Sequence, residues 1–111
     1  MIRIEQIWLA TEPLDMRAGA DKALARVVQV FGCARPHYAY LFTNKRANRM
    51  KVLVHDGTGI WLCARRLHQG KFRWAETWRG AQLQLSEEQV LALVQGLAWQ
   101  RLGAEGVIHF V

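Results

Sequence analysis

The 111-residue chain has few cysteines, few prolines and no long hydrophobic run. No stretch approaches the ~20 consecutive apolar residues of a membrane-spanning helix, and residues 1–10 lack the apolar core of a secretory signal peptide. A small secreted protein held by disulfides would usually carry more than two cysteines, and Cys33 and Cys63 form no CxxC motif. We therefore expect a cytoplasmic protein without a membrane partner, in which both thiols are reduced and buried.

Residues that carry enzymatic chemistry are also scarce. The histidines at positions 37, 55, 68 and 109 show no zinc-binding spacing with one another or with the cysteines. Ser86 is the only serine, and no glycine-rich phosphate-binding loop is present. The acidic residues do not suggest the converging carboxylates that hold two metal ions in nucleotidyl transfer. The sequence therefore predicts a protein that is not an enzyme and that uses no metal or other cofactor.

Positive charge, in contrast, is abundant and clustered. Fifteen Lys and Arg residues oppose nine Asp and Glu, which gives a formal charge of +6. Nine of these cations lie between residues 45 and 79, where Asp56 and Glu76 are the only acidic residues, so this stretch carries +7 (nine minus two). Cations interleaved with strand-forming and aromatic residues are typical of a surface that binds nucleic acid. The predicted nucleic-acid-binding residues are Lys45, Arg46, Arg49, Lys51, Arg65, Arg66, Lys71, Arg73 and Trp74.

A simpler interpretation of the same residues stays open. The cations could form a solvated sheet face or protect strand edges from aggregation. A tryptophan is more often a core residue than a stacking platform for bases. We expect Trp8, Trp61 and Trp99 in the core, and Trp74 or Trp78 either in the core or against nucleic-acid bases.

The hydrophobic pattern predicts one α+β domain over residues 1–111, with a core at about 4–101. A tail at 102–111 is either a late strand or disordered. We expect an antiparallel β-meander of about five to six strands packed with two helices. Met50, Val52 and Val54 should share one face of their strand, and Asp56-Gly57 is the strongest hairpin signal. The strands are predicted at 4–10, 38–43, 49–55, 60–67 and 71–74, with one more at 82–85.

Two segments have helical signals. The first helix is predicted from about Met16 to Phe31, with Asp15 as its N-cap and Arg17 paired with Asp21. Its apolar face would comprise Ala20, Leu24, Val27, Val28 and Phe31. The second helix begins at Ser86, which should form a capping box with Gln89, and ends near Gly96 or at 98–99.

A series of short motifs, in this order, resembles one protein family. They are WLA at 8–10, DMRxGxD at 15–21, LF at 41–42, RMKVL at 49–53, DGxG at 56–59, RL at 66–67, GKFRW at 70–74, LS at 85–86 and GLxW at 96–99. Over about residues 7–101, this set is similar to the accessory proteins of bacterial insertion sequences of family sixty-six, called TnpB or the second-open-reading-frame protein. (The RNA-guided nuclease of the same name is unrelated to this usage.) The resemblance implies a mobile-element protein that assists a separate transposase, with no accepted catalytic residues.

The chain departs from the family pattern near the hairpin. Val54 and His55 stand where the family tends to have aromatic residues, and Ala64 and Arg65 stand where it tends to have an aromatic residue and Lys. Ala75 replaces a frequent Pro. These differences remove flat surface on which bases could stack.

Two functional hypotheses follow. The first is a factor that binds DNA at the element ends, or RNA, mainly through phosphates and therefore with low sequence specificity. The second is a protein-interaction subunit whose basic surface docks on the transposase or on another element-encoded protein, since Trp and Arg also dominate protein interfaces. A homodimer is compatible with either hypothesis.

Overall fold

The computed structural model describes residues 3–74 and 80–95, which form one five-stranded sheet with a helix on each face. The α+β class with two helices is therefore confirmed. Neither described helix has the length and apolar character needed to cross a membrane. In chain order, the elements are β1 (Gln6–Ala10), α1 (Ala20–Phe31), β2 (Tyr38–Thr43), β3 (Arg49–His55), β4 (Ile60–Arg66), β5 (Gln82–Leu85) and α2 (Glu87–Val94).

The strand order is β4-β3-β2-β1-β5, and the sheet is mixed. Strands β2, β3 and β4 form the predicted antiparallel meander. β1, however, lies parallel to β2, and β5 pairs antiparallel with the other side of β1. The expectation of an entirely antiparallel sheet was wrong at β1, because α1 carries the chain back across the sheet before β2 begins. A parallel neighbour requires a crossover connection of this kind.

Both faces of the sheet are covered, which explains why the central strands are apolar on both sides. On one face, the buried residues of α1 pack on Tyr40, Phe42 and Leu53. On the other face, Leu93 of α2 packs with residues that include Leu9, Leu41 and Met50. The alternation predicted for β3 is confirmed, since Met50 and Val54 belong to the α2 face and Leu53 to the α1 face.

The first helix begins four residues later than predicted, with Gly19 as its N-cap. Asp15 instead closes a turn before the helix, where its carboxylate accepts the backbone N–H and the guanidinium of Arg17. These hydrogen bonds lower the pKa of Asp15 well below its ordinary value. The prediction that Arg17 pairs with Asp21 was therefore wrong. The predicted apolar face was right for Leu24, Val27 and Phe31, which pack in the core on the α1 face. It was wrong for Ala20 and Val28, which are exposed, and it missed the buried Ala23.

Residues 71–74 do not form the predicted strand. After β4, the chain instead crosses one end of the sheet on the α2 face. The N–H of Phe72 donates to the carbonyl of Ala47 (2.6 Å), and the indole N–H of Trp74 donates to the carbonyl of Ala10 (2.8 Å). Both aromatic rings are buried, so this segment closes the core instead of extending the sheet.

The second helix begins as predicted, with the complete capping box between Ser86 and Gln89. Its predicted end near Gly96 and 98–99, the position of Trp99 and the tail at 102–111 lie outside the described residues.

Three side chains differ from their predicted burial. Cys33 and Cys63 are free, as expected, but both are exposed. Trp61, expected in the core, is 50% exposed. Trp8 is half-buried and packs against the α1-side cluster. The exposure of Cys63 and Trp61 has one cause, which is that β4 forms the edge of the sheet and α2 covers the other strands more fully.

Candidate nucleic-acid interface

The topology brings most of the predicted cationic residues to one end of the sheet. β2 ends, β3 begins and β4 ends at this end of the sheet, and the crossing segment that follows β4 runs across it. We call this surface the basic end; it consists of Lys45, Arg46, Arg49, Arg65, Arg66, Lys71 and Arg73.

A rigid turn presents the first two of these cations. The side-chain oxygen of Asn44 accepts the backbone N–H groups of Asn48 (3.1 Å) and Arg49 (3.0 Å), and its amide nitrogen donates to the side chain of Asn48 (2.7 Å). Asn and Asp stabilise turns through such local bonds to the backbone. Lys45 and Arg46 lie inside this hydrogen-bonded loop, and both are exposed. The turn therefore holds two cations out from the sheet on an ordered backbone.

Two arginines face each other directly across the β3–β4 ladder. Arg49 is the register partner of Arg66. The next pair along the ladder is hydrogen-bonded through Leu67 N–H and the Asn48 carbonyl, so the Arg49–Arg66 pair is of the non-hydrogen-bonded type. In such pairs the two Cα atoms are only about 4.5 Å apart, and like charges there destabilise the sheet. An anion between the two guanidinium groups would remove that repulsion.

Five cations of the basic end have no carboxylate partner within the described ranges. There, the ion pairs are Arg3 with Glu5 and Arg17 with Asp15. No carboxylate in residues 3–74 and 80–95 pairs with the following exposed cations: Lys45, Arg46, Arg49, Arg66 and Lys71.

The acidic residues of the second half of the described chain lie at the opposite end of the sheet. Asp56 is in the β3–β4 turn, and Glu87 and Glu88 begin α2. The register partner of Leu85 is Ile7, near the start of β1, which places the beginning of α2 far from the basic end. Asp15, in contrast, lines a depression together with Lys45, Arg46 and Arg49, and its carboxylate is paired with Arg17.

Three predicted site residues have structural partners. The ammonium group of Lys51 lies on the α1 face and donates to the carbonyl of Ala18 (2.7 Å). The guanidinium Nε of Arg65 donates to the carbonyl of Val94 (2.7 Å) at the C-terminus of α2, where a cation is favoured by the helix dipole. Trp74 is 7% exposed, which favours the core interpretation of this residue.

The sequence did not predict that the loop at residues 13–16 lies beside these cations. Arg46 lies between two shallow depressions, one formed with Gly70, Lys71 and Phe72 and the other with residues 13–16. The loop at 13–16 reaches this position because β1 is parallel to β2, so the two strands finish at the same end of the sheet. The N–H of Leu14 fixes it there by donating to the carbonyl of Thr43 (2.8 Å). The DMR motif was visible in the sequence, but its position depended on the direction of β1.

Metal coordination receives no support from the described residues. Within them, no group of three or more His, Cys, Asp or Glu side chains is close enough to hold an ion.

Comparison with known proteins gives the family. The IS66 Orf2-like protein family matches residues 5–104. The chain belongs to this family. Two uncharacterized proteins of Sinorhizobium fredii are similar to it. The protein y4jC is 34% identical over 99 residues, covering 87% of this chain and 83% of its own length. The protein y4hO is 30% identical over 96 residues, covering 86% and 83%. No solved structure matches the chain significantly. Membership of the IS66 Orf2-like family implies an accessory role in insertion-sequence transposition, and the family is not known to be catalytic.

Proposed function

We propose that this IS66 Orf2-like protein assists transposition by binding nucleic acid through its basic end, with DNA at the element ends as the expected partner. The observation that carries the proposal is the set of exposed cations without carboxylate partners in the described residues, together with the Arg49–Arg66 pair. A surface of this kind binds polyanions because each neutralised phosphate releases condensed counterions.

The chemistry of the basic end favours recognition of the phosphate backbone. Arginine can bind a phosphate through two parallel N–H···O bonds, and Arg49 and Arg66 are close enough to share one. The turn at Lys45 and Arg46 adds two charges on a backbone that is already ordered, so little backbone conformational entropy is lost on binding. Contacts of this type position a nucleic acid but read little sequence. Because Trp74 is buried, base stacking by this ring has no part in the proposal.

A salt titration of binding to a short duplex tests the proposal. Affinity should fall steeply with salt, with a log–log slope of about −0.9 for each phosphate contacted. Neutralising two contacts in Lys45→Gln/Arg46→Gln should make that slope shallower by about 2 and should weaken binding at low salt. The matched control is Arg3→Gln/Arg35→Gln, which removes the same charge from exposed positions near the opposite end of the sheet. If both variants lose affinity equally, net charge and not the basic end is responsible.

The second candidate is docking on the transposase or on another element-encoded protein. It uses the same cations, and it is favoured by the exposure of Leu91, which is 61% exposed on α2 and could extend an interface. The two functions are separated by purification from cells that express the whole element, after nuclease treatment. Recovery of the transposase, together with no affinity of the purified chain for nucleic acid at low salt, would replace the first candidate by the second.

A further inference from the structure

Within residues 3–74 and 80–95, no segment pairs with the outer edge of β4. β4 is a terminal strand of the sheet, it is seven residues long, and it contains no proline. Long open edges of this kind are usually blocked by charge, proline or a covering segment, because their free peptide groups pair with other strands. Here the two charged residues, Arg65 and Arg66, are confined to one end of the strand.

The hydrogen-bond pattern identifies the free peptide groups. The N–H of Leu67 donates to the carbonyl of Asn48, and the N–H of Asp56 donates to the carbonyl of Gly59. Antiparallel pairs alternate along a ladder, so the odd-numbered residues of β4 direct their peptide groups toward β3. The peptide groups directed outward, away from the sheet, belong to Ile60, Leu62, Ala64 and Arg66.

We propose that β4 pairs with β4 of a second copy of this chain, antiparallel about a twofold axis at Cys63, which continues the sheet across the dimer. This register joins all seven residues of each strand. It makes Ile60 a hydrogen-bonded partner of Arg66 in the other copy, and Leu62 a partner of Ala64, for about eight inter-chain hydrogen bonds. A closed twofold interface of this type uses the β4 edge of both copies, so β4 pairing cannot add a third copy.

Charge complementarity favours a second copy as the occupant of this edge. Antiparallel pairing brings the arginines at the end of one β4 toward the β3–β4 turn of the other copy, which contains Asp56. Arg65 faces Trp61 of the second copy in a non-hydrogen-bonded pair, where side chains are closest and a cation–π contact is available. The indole of Trp61 is already oriented by its hydrogen bond to the carboxylate of Asp56 (2.7 Å). No arginine lies directly opposite an arginine.

The same register gives a chemical signature at Cys63. The two Cys63 residues form the central pair, also of the non-hydrogen-bonded type, with Cα atoms about 4.5 Å apart. That separation is within the range a disulfide spans. Both thiols of the chain are exposed, so Cys33 serves as an internal control for random collision.

Mild oxidation at low protein concentration tests the register. Cys33→Ser, which keeps Cys63, should convert to a covalent dimer on non-reducing gels at least about tenfold faster than Cys63→Ser, which keeps Cys33. Equal rates for the two variants, or no cross-linking of either, would overturn the Cys63-centred pairing.

Sedimentation equilibrium in reducing buffer, on nuclease-treated protein, tests the dimer without any disulfide. The wild-type chain and Cys63→Val should both show twice the 12.7 kDa chain mass. Cys63→Lys places two ammonium groups opposite each other only in the dimer, so its dissociation constant should rise about tenfold or more. The position is exposed, so neither variant should unfold. A monomeric wild-type chain, or an unchanged dimer in Cys63→Lys, would refute the proposal.

Discussion

Replacing Arg66 by Glu should stabilise the fold while weakening nucleic-acid binding. In the free protein, Arg66 faces Arg49 across the closest type of antiparallel pair. Like and opposite charges in facing positions are worth roughly 0.2–1 kcal/mol, and exposure of both side chains keeps the value toward the lower part of this range. Converting repulsion to attraction should therefore raise the free energy of unfolding by about 0.5–1 kcal/mol.

Thermal denaturation at low and high salt measures this effect. At ~4–8 °C per kcal/mol, a gain of this size should raise Tm by about 2–8 °C at low salt. The gain should shrink in 0.5 M salt, because the ions screen exposed charges. Arg66→Gln removes the repulsion without adding attraction and should show about half the gain. In binding assays, Arg66→Glu should instead weaken affinity and reduce the salt slope by about 1.

One control separates the local pair from net charge. Arg35→Glu makes the same charge change at an exposed position near the opposite end of the sheet. If Arg35→Glu raises Tm as much as Arg66→Glu does, or if Arg66→Glu does not raise Tm, the argument from the facing arginines is refuted.

Three further predictions concern residues with structural partners. Lys51→Met should lower the free energy of unfolding by about 1–2 kcal/mol in urea titrations, because the carbonyl of Ala18 loses a charged donor. The salt dependence of nucleic-acid binding should stay unchanged. Trp74→Phe should cost about 1–2 kcal/mol in the same titration, because the carbonyl of Ala10 loses its indole partner, while affinity of the folded variant should be retained. The pKa of Asp56 lies well below its ordinary value, because its carboxylate accepts hydrogen bonds from the backbone of residue 58, the indole of residue 61 and the backbone of residue 59. The ionised Asp56 therefore stabilises the fold fully above an unfolded-state pKa of about 4, and this stabilisation is lost as pH falls further. When pH is lowered from 7 to 2, the urea midpoint should fall more for the wild type than for Asp56→Asn.

Local signals in the sequence predicted the elements that local chemistry controls. The Asp56-Gly57 turn fixes the β3–β4 hairpin, and the reciprocal bonds of Ser86 and Gln89 fix the start of α2. Alternation in β3 placed Met50 and Leu53 on opposite faces before any partner strand was known. Local signals gave a wrong start for α1, where two of them competed. Asp15 is a good N-cap, but its carboxylate binds Arg17 in a turn, and the helix begins after Gly19.

The sequence by itself determined the density of positive charge between residues 45 and 79, the antiparallel meander from β2 to β4 and the absence of catalytic motifs. These depend on residue type and on contacts between neighbouring elements. Only the tertiary structure decided that β1 runs parallel to β2, because that choice depends on how α1 packs across the sheet. The same packing placed the loop at 13–16 beside Arg46 and buried Trp74 against β1. It also made β4 a terminal strand among the described elements. Long-range burial, which no short window of sequence records, determined which cations remained at the surface and which became structural donors.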